Sequence, residues 1–169
     1  MNDRSRWNEK YRTGQGPDKK NARLGKYRAF LKKGLALDLA GGLGQNTQSL
    51  AGWTVVNADI SDEALKRGHG HRVLADAIAL PFAPNIFDTI ICTNFFEPKI
   101  NYAALLKPGG TLFFETYTLA DLKYRPDFNS AYLLDPTQIP ILFKGFATLL
   151  SEETDNGKRV FATFIGRRQ

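Results

Sequence analysis

Residues 35–44 read LALDLAGGLG, an apolar run that carries Asp38 near its end and passes directly into a glycine-rich turn. The stretch behind it, 45–51, has helical composition, so the segment reads as strand, tight turn and helix start in that order. That order makes a site for a nucleotide-type ligand, because glycines let the backbone come close and the free amides of a helix start face what is bound. Dinucleotide oxidoreductases use a similar turn. Here, however, Gly42, Gly44 and Thr47 give G-x-G-x-x-T, without the third small residue of the dinucleotide fingerprint. Asp38 argues the same way, since a carboxylate repels a pyrophosphate and suits a cationic ligand such as an ammonium group.

The pattern repeats downstream. WTVVNAD (53–59) ends in Asp59, which lies 17 positions past Gly42, close to the roughly 20 expected for a carboxylate that accepts both ribose hydroxyls. HRVLADA (71–77) supplies Asp76 to accept from an adenine amine and the Ala77 amide to donate to a ring nitrogen. Each acid alone reads equally as a loop or cap residue. Three acids at the carboxyl ends of three consecutive strands mark the edge where open α/β sheets bind ligands.

With these residues in place, the chain resembles the class I S-adenosylmethionine-dependent methyltransferases. The resemblance is carried by LALDLAGGLG, VVNADIS, LADAIALPF, FDTIICTNFF (87–96) and LLKPGGTLFFET (105–116), and covers residues 35 to about 118. Within that class, RWNEKYRTG (6–14), the G-x-G-Q-N form of the loop and FNSAYLLDP (128–136) are similar to the small tellurite-resistance and thiopurine-type enzymes. Ala40 and Gly41 stand where the family has Gly-Cys or Gly-Ser. The resemblance implies S-adenosylmethionine as cofactor and S-adenosylhomocysteine as product. It assigns cofactor contacts to Asp38, Ala40, Gly42, Gly44, Asn46, Asp59, Ile60, Asp76, Ala77 and Asn94, and places Trp7 and Tyr11 on a helix that closes over the cofactor.

Length and composition fit one domain over 1–169, with 1–33 as a basic helical cap and 34–169 as the core. The longest apolar stretches are strand length, far below the ~20 residues a bilayer requires. The charged start lacks an apolar signal region, so the expectation is a cytoplasmic monomer with no membrane segment. Cys92, the single cysteine, sits inside an apolar run and reads as a buried structural thiol. Charge is uneven: residues 1–33 hold 11 Lys or Arg against 3 Asp or Glu, while 34–169 hold 12 against 14. A basic arm reads as a solvated amphipathic helix, with an anionic-substrate or RNA role as its alternative.

Alternating β and α signals imply an α/β fold, a doubly wound and mostly parallel seven-stranded sheet with helices on both faces, Rossmann-like. Helices are expected near 4–12, 21–33, 45–51, 62–67, 99–106 and 137–144. Strands are expected near 35–40, 53–58, 72–75, 87–93, 111–117, 146–152 and 159–165, the last two joined at Asp155-Asn156-Gly157 as an antiparallel hairpin. The irregular connection 118–136 is long enough to be functional.

The sequence contains no Ser-His-Asp arrangement, P-loop or zinc-type Cys/His set, and His69-x-His71 reads as a solvated turn, so no metal is expected. Methyl transfer needs no covalent protein nucleophile. The cofactor carries the electrophile, and the protein aligns the acceptor and excludes water. No catalytic residue is assigned. Asn94, Phe95, Phe96 and Tyr117 are the candidates for the substrate pocket, and TNFFEP (93–98) differs from the Asn-Pro-Pro-aromatic motif of amino-group methyltransferases. The expectation is direct in-line methyl transfer to a small molecule. The alternatives are RNA methylation using the basic arm, or cofactor binding without transfer.

Overall fold

Seven apolar runs become strands in the computed structural model, which describes residues 2–169. They are β1 (Leu35–Leu39), β2 (Thr54–Asp59), β3 (His71–Leu74), β4 (Phe87–Thr93), β5 (Leu106–Tyr117), β6 (Phe146–Asp155) and β7 (Val160–Arg168). They form one sheet in the order β3-β2-β1-β4-β5-β7-β6. The first five pair in parallel, whereas β7 runs antiparallel between β5 and β6. From β1 the chain builds outward to β2 and β3, then returns to lay β4 on the other side of β1. Connections diverge at that point, and a crevice opens beyond the carboxyl ends of β1 and β4.

Period-two alternation sends neighbouring residues into two cores, one on each face of the sheet. Leu37, Leu39, Ile90, Cys92, Phe114 and Phe164 pack with Tyr102, Ile139 and Phe143 on one face. Phe143 stacks on Phe164 with ring centroids 4.2 Å apart. Ala36, Val55, Ile91, Phe113 and Ile165 pack on the other with Leu24, Leu31 and Leu50. Every residue of β4 is buried, as a strand covered on both sides requires.

The helices are α1 (Asp3–Arg12), α2 (Ala22–Tyr27), α3 (Asp62–Arg67), α4 (Tyr102–Leu105) and α5 (Ile139–Leu142). Capping fixes their starts. The Asn2 side chain accepts from the Ser5 amide at the head of α1, and that of Ser61 accepts from the Ala64 amide at the head of α3. Acids in the first turn and bases in the last complement the dipole of both helices.

Strand positions follow the sequence expectation closely, but four expected helices are shorter. The stretch 45–51 is no α-helix: only Thr47–Leu50 forms a 3-10 turn. Gly44 at φ +69° and Gly52 at φ +91° bracket it, leaving too few residues to nucleate a helix. The ligand-facing amides of a helix start are therefore absent behind the glycine turn. Residues 21–33 give α2 and then a 3-10 turn at Arg28–Phe30. In 99–106 helix begins only after Asn101, which caps α4, and in 137–144 α5 spans only Ile139–Leu142, because Pro140 has no amide with which to extend it back through the 3-10 turn Pro136–Gln138.

Candidate functional site

A cavity of about 470 Å³ occupies the crevice beyond β1, β2 and β4. Each strand end delivers its residue there because the chain turns sharply after it. Ala40 follows β1 at φ +53° and Asn94 follows β4 at φ +57°. Both are non-glycine residues in the left-handed region, where a side chain costs about 1–2 kcal/mol. Ala40, Asp59, Ile60, Asp76, Ala77 and Asn94, which the resemblance assigns to cofactor contacts, all line the cavity. Phe95 and Phe96 wall it beside Asn94.

Asp59 is 7% exposed, and its two carboxylate oxygens accept from the Gly42 and Ser61 amides, each at 2.8 Å. Burial raises its pKa, and the backbone amides oppose the rise. Each oxygen keeps a lone pair free for a ligand hydroxyl. One oxygen of Asp76 accepts from the Ile78 amide at 3.1 Å, and the residue lines the cavity.

Asp38 lies below the turn rather than on the cavity wall. It is completely buried, and neither oxygen has a hydrogen-bond partner. Burial, followed by the neighbouring Asp59, pushes its pKa up to about 8. Gly42, at φ +54°, faces Tyr11: a Cβ there would stand 2.2 Å from the Tyr11 hydroxyl oxygen. Gly44 packs against the backbone of His69. Asn46 is buried as a tie, accepting from the Asn21 amide and donating to Thr93 Oγ1, both at 2.9 Å. Thus Asp38, Gly42, Gly44 and Asn46 shape the site from behind. Tyr117, expected in the substrate pocket, is not among the residues that line the cavity; its ring packs under the Arg125 guanidinium, 4.5 Å away.

Trp7 and Tyr11 line the cavity from α1. Tyr11 is buried, its pKa raised by burial and by the carboxylates Asp59 and Asp38. Several bonds hold α1 down. Asn8 accepts from Ser61 Oγ at 2.7 Å and donates to Asp62 at 2.8 Å, and Arg67 donates to the Tyr11 carbonyl. Arg6 donates to the hydroxyl of Tyr132, a cavity-lining residue, at 3.1 Å, joining α1 to the 118–136 connection.

Gln45, Ile78, Glu97 and Tyr132 also line the cavity and were not singled out in the sequence. Gln45 has a buried side-chain oxygen without a partner, and G-x-G-Q-N was the signal that could have found it. Ile78 and Glu97 sit in turns and Tyr132 ends the 3-10 turn Ser130–Tyr132, where no strand or helix periodicity fixes side-chain direction. Cys92 is buried as expected, its thiol pushed up to about 12 chiefly by burial.

Residues 37–114 match the family model described as a methyltransferase domain. Demethylmenaquinone methyltransferase from Renibacterium salmoninarum is 40% identical over 45% of this chain and 38% of that protein. The chain therefore spans under two fifths of the length of the curated relatives it matches. Among solved structures, a Haloferax volcanii methyltransferase in complex with its Trm112 activator superposes with a TM-score of 0.74 at 14% identity, covering 99% of this chain and 98% of that one. Magnesium protoporphyrin IX methyltransferase from Synechocystis, solved with bound S-adenosylhomocysteine, gives 0.68 at 16% identity over 98% and 97%. The chain shares the Rossmann-like fold of these methyltransferase structures, and residues 37–114 match a methyltransferase domain.

Proposed function

We propose that the protein transfers a methyl group from S-adenosylmethionine directly to a small, uncharged, partly aromatic acceptor. The observation that carries this reading is one cavity lined both by the acids Asp59 and Asp76 and by the aromatic rings of Phe95, Phe96 and Trp7. Asp59 offers lone pairs to a ribose and Asp76 to an exocyclic amine, with Ile60 and Ile78 supplying apolar faces for the base. The unpartnered Gln45 oxygen and the carboxyl of Asp38 behind the turn suit a ligand bearing a cationic amino-acid end. When bound, the cofactor supplies an electrophilic methyl on a sulfonium. The chain positions the acceptor against Asn94 and the phenylalanines, while α1 excludes water.

The cations at the mouth are already paired, which favours an uncharged acceptor over an anionic one. Arg4 bonds to Asp62 at 3.1 Å, and Arg6 to Asp3 at 2.9 Å. Much of the basic arm is likewise engaged. Arg23 pairs with Glu115 at 3.1 Å and with Glu152, Arg28 donates to the Ala51 carbonyl, and Lys32 lies 3.5 Å from Asp88. Those contacts favour a structural arm over an RNA-binding one. Demethylmenaquinone, named in the relatives, is a fitting first acceptor to assay, and the α1 closure supports the narrower likeness to tellurite-resistance and thiopurine-type enzymes. We read 1–169 as one domain, with 1–33 as its cap.

Thermal shift tests the cofactor. S-adenosylhomocysteine at about 100 times its Kd should add about 2.7 kcal/mol of stability, and NAD none. Stabilisation by NAD alone would overturn the assignment.

A further inference from the structure

Glu115, near the end of β5, is a buried acid that is not among the residues lining the cavity, yet its bonds reach toward it. Its Oε1 accepts from Asn21 Nδ2 at 2.6 Å, while its Oε2 accepts from Thr163 Oγ1 at 2.7 Å and lies 3.1 Å from Arg23 Nε. Asn21 is fixed at its other atoms as well. Its Oδ1 accepts from the Arg23 and Leu24 amides at the head of α2, at 2.9 and 3.0 Å, and its own amide donates to Asn46 Oδ1 at 2.9 Å. Asn46 in turn donates from Nδ2 to Thr93 Oγ1 at 2.9 Å. Thr93 is the register partner of Glu115 on the neighbouring strand β4, so the path closes into a ring.

That ring borders the cavity in several places. Thr93 lines it, and so does Gln45, the residue before Asn46. Asn94, whose amide donates to the Glu115 carbonyl at 2.9 Å, lines it too, as does Pro17, four residues before Asn21. We propose that Glu115 is a positioning residue for this cavity: its carboxylate fixes Asn21, and Asn21, through Asn46 and Thr93, holds the segment behind the glycine turn against the end of β4. Stability alone gives little reason for a carboxylate here, because a buried ion pair is a weak stabiliser that apolar residues often replace without loss. What the carboxylate supplies is one arrangement, by accepting from two donors at the head of α2 and one on β7.

Docking of α2 on the sheet does not depend on Glu115. Leu24 packs in the core on that face, Tyr27 donates to Glu152 at 2.9 Å, and Arg23 pairs with Glu152 as well. Without the carboxylate, α2 therefore stays in place while the Asn21 side chain loses its hold, and the tie from Asn21 through Asn46 to Thr93 loosens. The consequence for cofactor affinity rests on the function proposed above, whereas the fixing of Asn21 and Asn46 does not.

The test compares Glu115→Ala with Asp88→Ala in the full chain. Both variants remove a buried carboxylate, the second at the opposite end of β4 from Thr93. Calorimetry with S-adenosylhomocysteine should find affinity weaker by about tenfold or more in Glu115→Ala and within about threefold of wild type in Asp88→Ala, with urea unfolding recording the stability lost by each. A carboxylate that only stabilises the fold would leave the affinity of the folded protein unchanged. That result, or equal weakening in both variants, overturns the proposal. If Glu115→Ala does not fold, Asn21→Ser replaces it, because serine keeps the cap of α2 and is too short to hold Glu115. Its affinity should fall by about fivefold or more, and an unchanged affinity overturns the proposal equally. NMR of the ligand-free Asn21→Ser protein is the second arm. The Asn46 side-chain amide and the Thr93 backbone amide should both shift from their wild-type positions, and unmoved signals would break the relay. No binding of S-adenosylhomocysteine by the wild-type protein would instead end the proposed function and leave the NMR arm to judge the positioning.

Discussion

At Asp59 one side chain does two jobs, since it caps the Gly42 and Ser61 amides and faces the cavity. Asp59→Ala should lower S-adenosylhomocysteine affinity on the order of a hundredfold, because charge-assisted hydrogen bonds contribute about 1.5–3 kcal/mol each. A change below about threefold in a folded variant, measured calorimetrically, would remove Asp59 from the site. Ala40 makes the opposite case. It stands at φ +53°, where an L side chain is strained, so Ala40→Gly should raise stability by about 0.5–1 kcal/mol in urea unfolding. A destabilised Ala40→Gly variant would mean the Ala40 methyl contributes packing that outweighs its strain. Asp59, Asp76 and Asn94 were legible in the sequence because each closes a strand whose apolar run fixes where it ends. Asp38, Gly42, Gly44 and Asn46 were legible as members of the turn, but which of them reach the cavity was not. Side-chain direction in a turn depends on φ, and on a tyrosine arriving from α1, neither of which spacing encodes.

Among the elements, strands were easier to read than helices. Apolar runs such as FDTIICT and TLFFET declare strands through composition alone, and the Lys-Pro-Gly-Gly segment that leads into β5 announces its start. The helical expectations failed in length at 21–33, 45–51, 99–106 and 137–144, since a turn and a short helix share the same residues until nucleation decides. α1 survived intact and gives the element-scale expectation. Deleting residues 1–16 should leave the sheet folded by circular dichroism, because every strand lies beyond residue 34. It should also weaken cofactor binding and abolish transfer, since Tyr11 no longer covers Gly42 and the Arg6–Tyr132 bridge is lost. Loss of the fold would show α1 to be core packing. Unchanged binding would show that α1 is no lid.

Over the whole molecule, the buried acids give stability an unusual dependence on pH. The Asp38 carboxyl is raised to about 8, so folding takes up a proton above the unfolded pKa of about 3.9, and stability is lost as pH rises from there to about 8. Asp59 is raised as well and adds to the same slope. Asp62 and Asp155, lowered to about 2 by their partners, act in the other direction, their contribution vanishing only as pH falls toward 2. The ligand-free protein should therefore melt highest on the acid side of neutrality, with Asp38→Asn flattening the decline toward pH 8. A melting temperature that climbs steadily between about pH 5 and 8 would contradict this.

The place of β7 bears on how the chain comes together. β7 is last in order along the sequence, yet it sits inside the sheet between β5 and β6. Until it is made, β5 has no neighbour on that side, and its run of Phe113 and Phe114 offers an open row of amides and carbonyls to any passing strand. β6 is made earlier but has nothing to pair with except β7. The sheet therefore closes by insertion of the last of its seven strands, not by growth at an edge. A chain halted before residue 160 would leave one edge of β5 open, and would be held from aggregation only by whatever shields that edge as the chain leaves the ribosome.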